Sequence, residues 1–136
     1  MKMNILFFML FFSLSITSYT ITQCELAKIL KTNGWEDNKI PIMVCIGYYE
    51  SGLNCNIQNV TFKGHLAYGI FQISDYFWCS GSKFSKYNLC NMTCESLLDC
   101  ENNTKCATQI YKNGGFNSWY EYHIHYYECI NWKLDC

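Results

Sequence analysis

Residues 44–52 read Val44-Cys45-Ile46-Gly47-Tyr48-Tyr49-Glu50-Ser51-Gly52. Pro41 stands just upstream, and Ile42, Cys45 and Ile46 follow it at helical spacing. A proline in the first turn gives up an N–H that has no intrahelical partner there. The pattern predicts a helix from Pro41 towards Glu50, broken by Ser51-Gly52. Its end carries a carboxylate behind an almost unbroken apolar run. Taken alone, Glu50 reads as a solvated charge at a helix end or as a desolvated acid. A carboxyl held out of water stays protonated closer to neutral pH, as a proton donor must.

Upstream, Glu25 to Asn33 places Leu26, Ile29 and Leu30 on one helical face, with Gly34 as the stop. Downstream, Val60, Thr61 and Phe62 predict a strand, Lys63-Gly64-His65 a turn, and Tyr68 to Ile73 a second strand. Residues 79–94 are rich in Ser, Gly, Asn, Lys and Cys and predict an irregular, disulfide-tied loop. A short helical segment is expected over Cys94 to Asp99, and a helix over Cys106 to Lys112, ended by Asn113-Gly114-Gly115. One more short helix is expected over Trp119 to Tyr127. Helices, a small antiparallel hairpin, then helices again predict an α+β domain.

The chain opens Met1-Lys2-Met3-Asn4, and Ile5 to Ile16 is almost wholly apolar. A basic start and a short apolar core describe a secretory signal over residues 1–18, with Tyr19 as the first mature residue. The run is too short to span a bilayer comfortably, and no later stretch is long enough, so no membrane segment is expected in residues 19–136. All ten cysteines follow the leader, and an even count in a secreted chain implies a disulfide framework. Zinc is disfavoured: no Cys-x-x-Cys pair occurs, and His65, His123 and His125 lack finger spacing. Pairing stays open at this level, since ten cysteines allow about 945 combinations. Ten basic and eleven acidic residues give a net charge of −1, which argues against nucleic-acid binding. Asn59, Asn91 and Asn102 each open an Asn-x-Thr acceptor pattern.

Four local patterns together resemble one family. They are Val44-Cys45 with Tyr49-Glu50-Ser51-Gly52; Ala67-Tyr68-Gly69-Ile70-Phe71-Gln72-Ile73-Ser74; Trp78-Cys79 with Cys90-Asn91-Met92-Thr93-Cys94; and Cys106-Ala107 with Ile110 and Asn117-Ser118-Trp119. In order and spacing they look like a C-type lysozyme, of the lysozyme/α-lactalbumin superfamily (glycoside hydrolase family 22). The resemblance covers nearly all of residues 19–136. It implies a helical lobe and a small antiparallel lobe with a cleft between them. It also implies the bridges Cys24–Cys136, Cys45–Cys129, Cys79–Cys94 and Cys90–Cys106. Cys55 and Cys100 fall outside that set of four, and as the remaining two they are expected to form a fifth bridge.

By the same resemblance Glu50 is the general acid, and Trp119 forms its apolar wall. Glycoside cleavage usually pairs such an acid with a second carboxylate, and lysozyme is the type case of that pairing. In the family an Asp immediately precedes the Tyr-Gly of the strand. Here the position is Ala67, and Ser74 stands where the family usually has Asn. Asp75 is the nearest downstream acid, but nothing in the sequence brings it to Glu50. His65 alternates onto the face of Ala67, though a turn role suits it better. Asn59, Gln72, Phe77, Trp78 and Tyr120 match cleft-lining positions. The function implied is a secreted, extracellular monomer acting on peptidoglycan or chitin-type oligosaccharide. Its hydrolysis is expected to be weak, and the alternative is a non-catalytic sugar-binding protein. No metal or other cofactor is implied, because Asp99 and Glu101 do not make the family's calcium-binding cluster.

Overall fold

Thr22 opens the first helix by a reciprocal cap: its hydroxyl accepts from Glu25 N at 3.1 Å, and its own N–H donates to Glu25 Oε2 at 2.7 Å. The computed structural model describes residues 17–136, so nearly all of the segment expected as a leader, residues 1–18, lies outside the described residues. That cap sets α1 at Gln23–Thr32, two residues earlier than the apolar pattern alone predicts. Leu26 and Leu30 are its buried face. Helix α2, Ile40–Ser51, carries Pro41 in its first turn and ends at Gly52, whose φ of 63° is left-handed. Ile40 and Met43 through Gly47 are all buried, so α2 is the central helix rather than a surface one.

Three antiparallel strands follow, β1 (Gln58–Val60), β2 (Leu66–Tyr68) and β3 (Ile73–Ser74), in that spatial order. Ala67 lies opposite Asn59 on one side and Ser74 on the other. The stretch expected as one strand over Tyr68 to Ile73 is therefore the end of β2, a turn and the start of β3. Gly69 has φ 70° and Gln72 φ 47°, and Gln72 N donates to Gly69 O at 3.0 Å. The turn is clamped from outside. Asn103 is fully buried; its Oδ1 accepts from Phe71 N, and its Nδ2 donates to Tyr68 O and Leu97 O. A Cβ on Gly69 would come within 2.3 Å of Leu97 O. Packing onto Asn103 and Leu97 thus overrides the local β preference of these residues.

Ser74 caps a four-residue helix, α3 (Asp75–Trp78), which the loop-like composition beyond it conceals. A 3-10 turn over Glu95–Leu98 precedes α4, Cys100–Gly114. Helix α4 starts six residues before the expected Cys106, because Asp99 accepts from Asn102 N and caps a first turn of polar residues. The helix expected over Trp119 to Tyr127 is two, α5 (Tyr120–Ile124) and α6 (Tyr126–Ile130). His125 sits at the break, its ring stacked on Tyr49 at 3.5 Å between centroids.

Five disulfides join these elements: Cys24–Cys136, Cys45–Cys129, Cys55–Cys100, Cys79–Cys94 and Cys90–Cys106. Cys45–Cys129 ties α2 to α6, and Cys55–Cys100 ties the segment after α2 to the start of α4. Bridges closing loops of these lengths typically add about 3–4 kcal/mol each. Phe71, Leu97 and Ile110 are buried, and Asn103 of α4 bonds the turn after β2 to the helical lobe. Among the described residues, no helix is long and apolar enough to cross a membrane.

Candidate functional site

The last turn of α2 delivers Glu50 to the seam between the lobes. Its position is fixed from both sides. The neighbouring Ser51 hydroxyl donates to Ile70 O at 2.8 Å, which joins the helix end to the turn after β2. Trp119, only 4% exposed, donates its indole N–H to Phe71 O at 3.1 Å and meets the Phe71 ring edge-on. These two bonds hold helix end, turn and α5 start around one opening.

That opening is a cleft of about 230 Å³. It brings together Glu50, Gln72, Ser74, Trp78, Trp119 and Tyr120, six of the residues singled out in the sequence. Ile73, Ile110 and Ser118 complete the lining; all three fall within the family-like patterns of the sequence, although none was singled out as a cleft residue. Asn59 is not on this wall but adjoins it, donating from Nδ2 to Gln72 Oε1 at 3.0 Å. Phe77 lines a second groove beside the cleft rather than the cleft itself.

Burial pushes the Glu50 carboxyl up to about 8, and the nearby Glu121 carboxylate adds to the rise. The backbone N–H of Glu121 bonds Glu50 and offsets part of it. A carboxyl in this range is protonated at neutral pH and can give its proton to a departing oxygen. Glu121 itself leans on His125, Oε2 to Nε2 at 3.4 Å. The sequence signal for that pair was the i, i+4 spacing of an acid and a histidine on one helix.

The opposite wall is different. Ala67 is 4% exposed and stands between Asn59 and Ser74, so the sheet offers an amide, a methyl and a hydroxyl in a row. Paired carboxyls in glycoside hydrolases stand about 5 Å apart, or about 6.5–9.5 Å with a water between them. Among the described residues, no second carboxylate lines this cleft. Asp75, one residue beyond Ser74, does not supply it. Its side chain is fully buried and accepts from Leu66 N and the Ser82 hydroxyl, tying the loop after α3 to β2. His65 keeps company with Asp75, Tyr76 and Phe84 rather than with Glu50. Among the described residues, no group of three or more His, Cys, Asp or Glu side chains is placed to hold a metal ion.

Fold and cleft have counterparts among known proteins. Lysozyme c-1 of Anopheles gambiae is 39% identical over 108 residues, 78% of this chain and 76% of that protein. Human lysozyme-like protein 2 is 35% identical over 123 residues, 85% of this chain and 83% of its own length. The crystal structure of canine milk lysozyme superposes with a TM-score of 0.72 at 31% identity, over 79% of this chain and 88% of that one. A sequence model of the C-type lysozyme/alpha-lactalbumin family matches residues 19–136, the whole span in which the two lobes, the five bridges and the Glu50 cleft lie, and the chain belongs to that family.

Proposed function

We propose that this protein binds N-acetylglucosamine-containing polysaccharide, of the peptidoglycan or chitin type, in the Glu50 cleft and cleaves its glycosidic bond weakly. It acts as a secreted monomer without a cofactor, after removal of residues 1–18. The observation that carries this reading is one half-buried carboxyl, pushed up to about 8 by desolvation, facing a sheet wall that lacks the second. Glu50 protonates the leaving oxygen. Trp78, with Phe77 beside it, stacks on the apolar faces of the sugar rings. Asn59, Gln72, Ser74 and Tyr120 supply polar contacts, and Trp119 keeps water off the acid. Positioning and one proton donor lower part of the barrier. The attacking water then has no base opposite Glu50, so turnover is slow.

Ala67 favours a second reading, a sugar-binding protein with no turnover. Both readings require the cleft to bind sugar. Binding is tested by following tryptophan fluorescence during titration with the N-acetylglucosamine tetramer. Saturable binding is expected, and Trp78→Ala should weaken it about tenfold, the loss of roughly 60 Å² of apolar contact at about 25 cal/mol/Å². An absence of saturable binding, or full affinity in Trp78→Ala, contradicts this placement of the sugar.

A further inference from the structure

The Asn-x-Thr patterns at Asn59, Asn91 and Asn102 are alike as motifs and unlike in the fold. An N-linked oligosaccharide is bulky and strongly hydrated, so the amide that carries it has to stand in solvent once the chain has folded. Asn59 is exposed on β1, but its Nδ2, the atom a glycan would occupy, donates to Gln72 Oε1 at 3.0 Å beside the Glu50 cleft. A glycan there would displace that bond. Asn102 is half-buried in the first turn of α4, its backbone N–H bonded to Asp99. The two residues that complete its pattern, Asn103 and Thr104, are fully buried.

Asn91 differs at each point. It lies between α3 and the 3-10 turn, outside every helix and strand. Asn91 and Thr93 are both exposed, with Met92 half-buried between them. The Asn91 backbone closes a turn, its N–H donating to Asn88 O at 3.0 Å. Its φ of 52° is left-handed, a conformation asparagine tolerates better than most residues. Its side-chain amide makes no hydrogen bond among the described residues. The side-chain work of the turn falls to Asn88, whose Oδ1 accepts from Met92 N at 2.9 Å. Thr93 is held by the start of the 3-10 turn, where its Oγ1 accepts from Ser96 N at 3.2 Å. The bridges Cys90–Cys106 and Cys79–Cys94 pin the pattern at both ends. Phe84, Tyr87 and Leu89 of the same loop are exposed, and a hydrated group beside such apolar side chains opposes self-association.

We infer that Asn91 is a modification site, whose side-chain amide carries an N-linked oligosaccharide in the secreted protein. The inference is independent of the glycan reading of the Glu50 cleft and rests on the secretory reading of residues 1–18. The donor is an oligosaccharide carried on a lipid pyrophosphate. Asn91 Nδ2 forms a bond to the anomeric carbon of the first sugar. The bond from that carbon to the pyrophosphate oxygen breaks, the lipid pyrophosphate leaves with the electron pair, and Nδ2 gives up one proton. Transfer takes place on the unfolded chain, and the fold then leaves the product at Asn91 in solvent without displacing any contact.

The full chain is secreted from cultured insect cells in two forms, one with residues 1–18 and one with a leader of proven function in that host in their place. The secreted protein is treated with peptide-N-glycosidase in water enriched in heavy oxygen, which turns a glycan-bearing asparagine into labelled aspartate, and its peptides are read by mass spectrometry. Label at position 91 is expected in both forms. The loss of mass on deglycosylation that comes from this position should disappear in Asn91→Gln and in Thr93→Ala and persist in Thr93→Ser, which keeps the acceptor pattern. An unlabelled Asn91 in protein secreted with the host's leader overturns the inference, whatever the state of Asn59 and Asn102. Label at Asn91 only with the host's leader sustains the site and overturns the secretory role of residues 1–18. The natural chain alone decides the outcome, so a variant that fails to fold does not affect it.

Discussion

Ala67→Asp is expected to raise glycan hydrolysis by about 10²–10⁴-fold, the usual range for adding or removing one group of a catalytic set. The strand already provides the setting. Position 67 stands between Asn59 and Ser74 on neighbouring strands, where directly opposed side chains approach within about 4.5–5.5 Å. The Asn59 amide and the Ser74 hydroxyl are donors that hold a new carboxylate ionised, while Glu50 stays protonated up to about 8. Two carboxyls whose environments push them apart in acidity are what divides the roles of acid and nucleophile. The check is initial rate on an N-acetylglucosamine hexamer, with circular dichroism to show that the variant is folded. A folded variant with an unchanged rate would mean that position 67 does not face the scissile bond.

Asn103→Ala is the change expected to cost most in stability, about 4 kcal/mol. One fully buried amide satisfies Phe71 N at 3.1 Å, Tyr68 O at 2.9 Å and Leu97 O at 2.8 Å. Alanine leaves all three backbone groups without that partner in the interior and opens a cavity beside Gly69. For a domain of this size the midpoint of thermal unfolding should fall by roughly 15 °C. Sugar affinity should fall with it, because Gln72 and the carbonyl that anchors Trp119 belong to the same clamped turn. A fall of only a few degrees would show that water replaces the amide and that the turn holds itself.

Much of this was legible in the residues. Pro41 and Gly52 bracket α2 in the sequence as they do in the structure, and the apolar run between them is the buried centre. The overall class and the family were readable because they rest on cysteines, one proline and glycines whose roles are local or combinatorial. The turn over Gly69 to Gln72 was not, because its apolar residues prefer a strand. Only the distant Asn103 and Leu97 fold them back. Helix α4 hid its first turn behind polar residues, among them Asn103 and Thr104, which are buried by contacts with distant segments, although the Asp99 cap was visible. The break at His125 depends on a stacking partner, Tyr49, from a helix far away in sequence. Glu121 entered the site for the same reason: its influence on Glu50 exists only once α5 has packed against α2.

The central claim is that Glu50 is a lone acid working in a sugar cleft. It is tested most directly by hydrolysis of the N-acetylglucosamine hexamer at high protein concentration, across roughly pH 4 to 10. The natural chain and Glu50→Gln are compared side by side. The account predicts slow turnover by the natural chain, sustained through neutral pH and lost as the acid ionises above about 8, with none from the variant. Turnover that survives in Glu50→Gln would contradict it by placing the proton donor elsewhere. Turnover in neither protein would contradict it as well, leaving a cleft that binds sugar without cutting it.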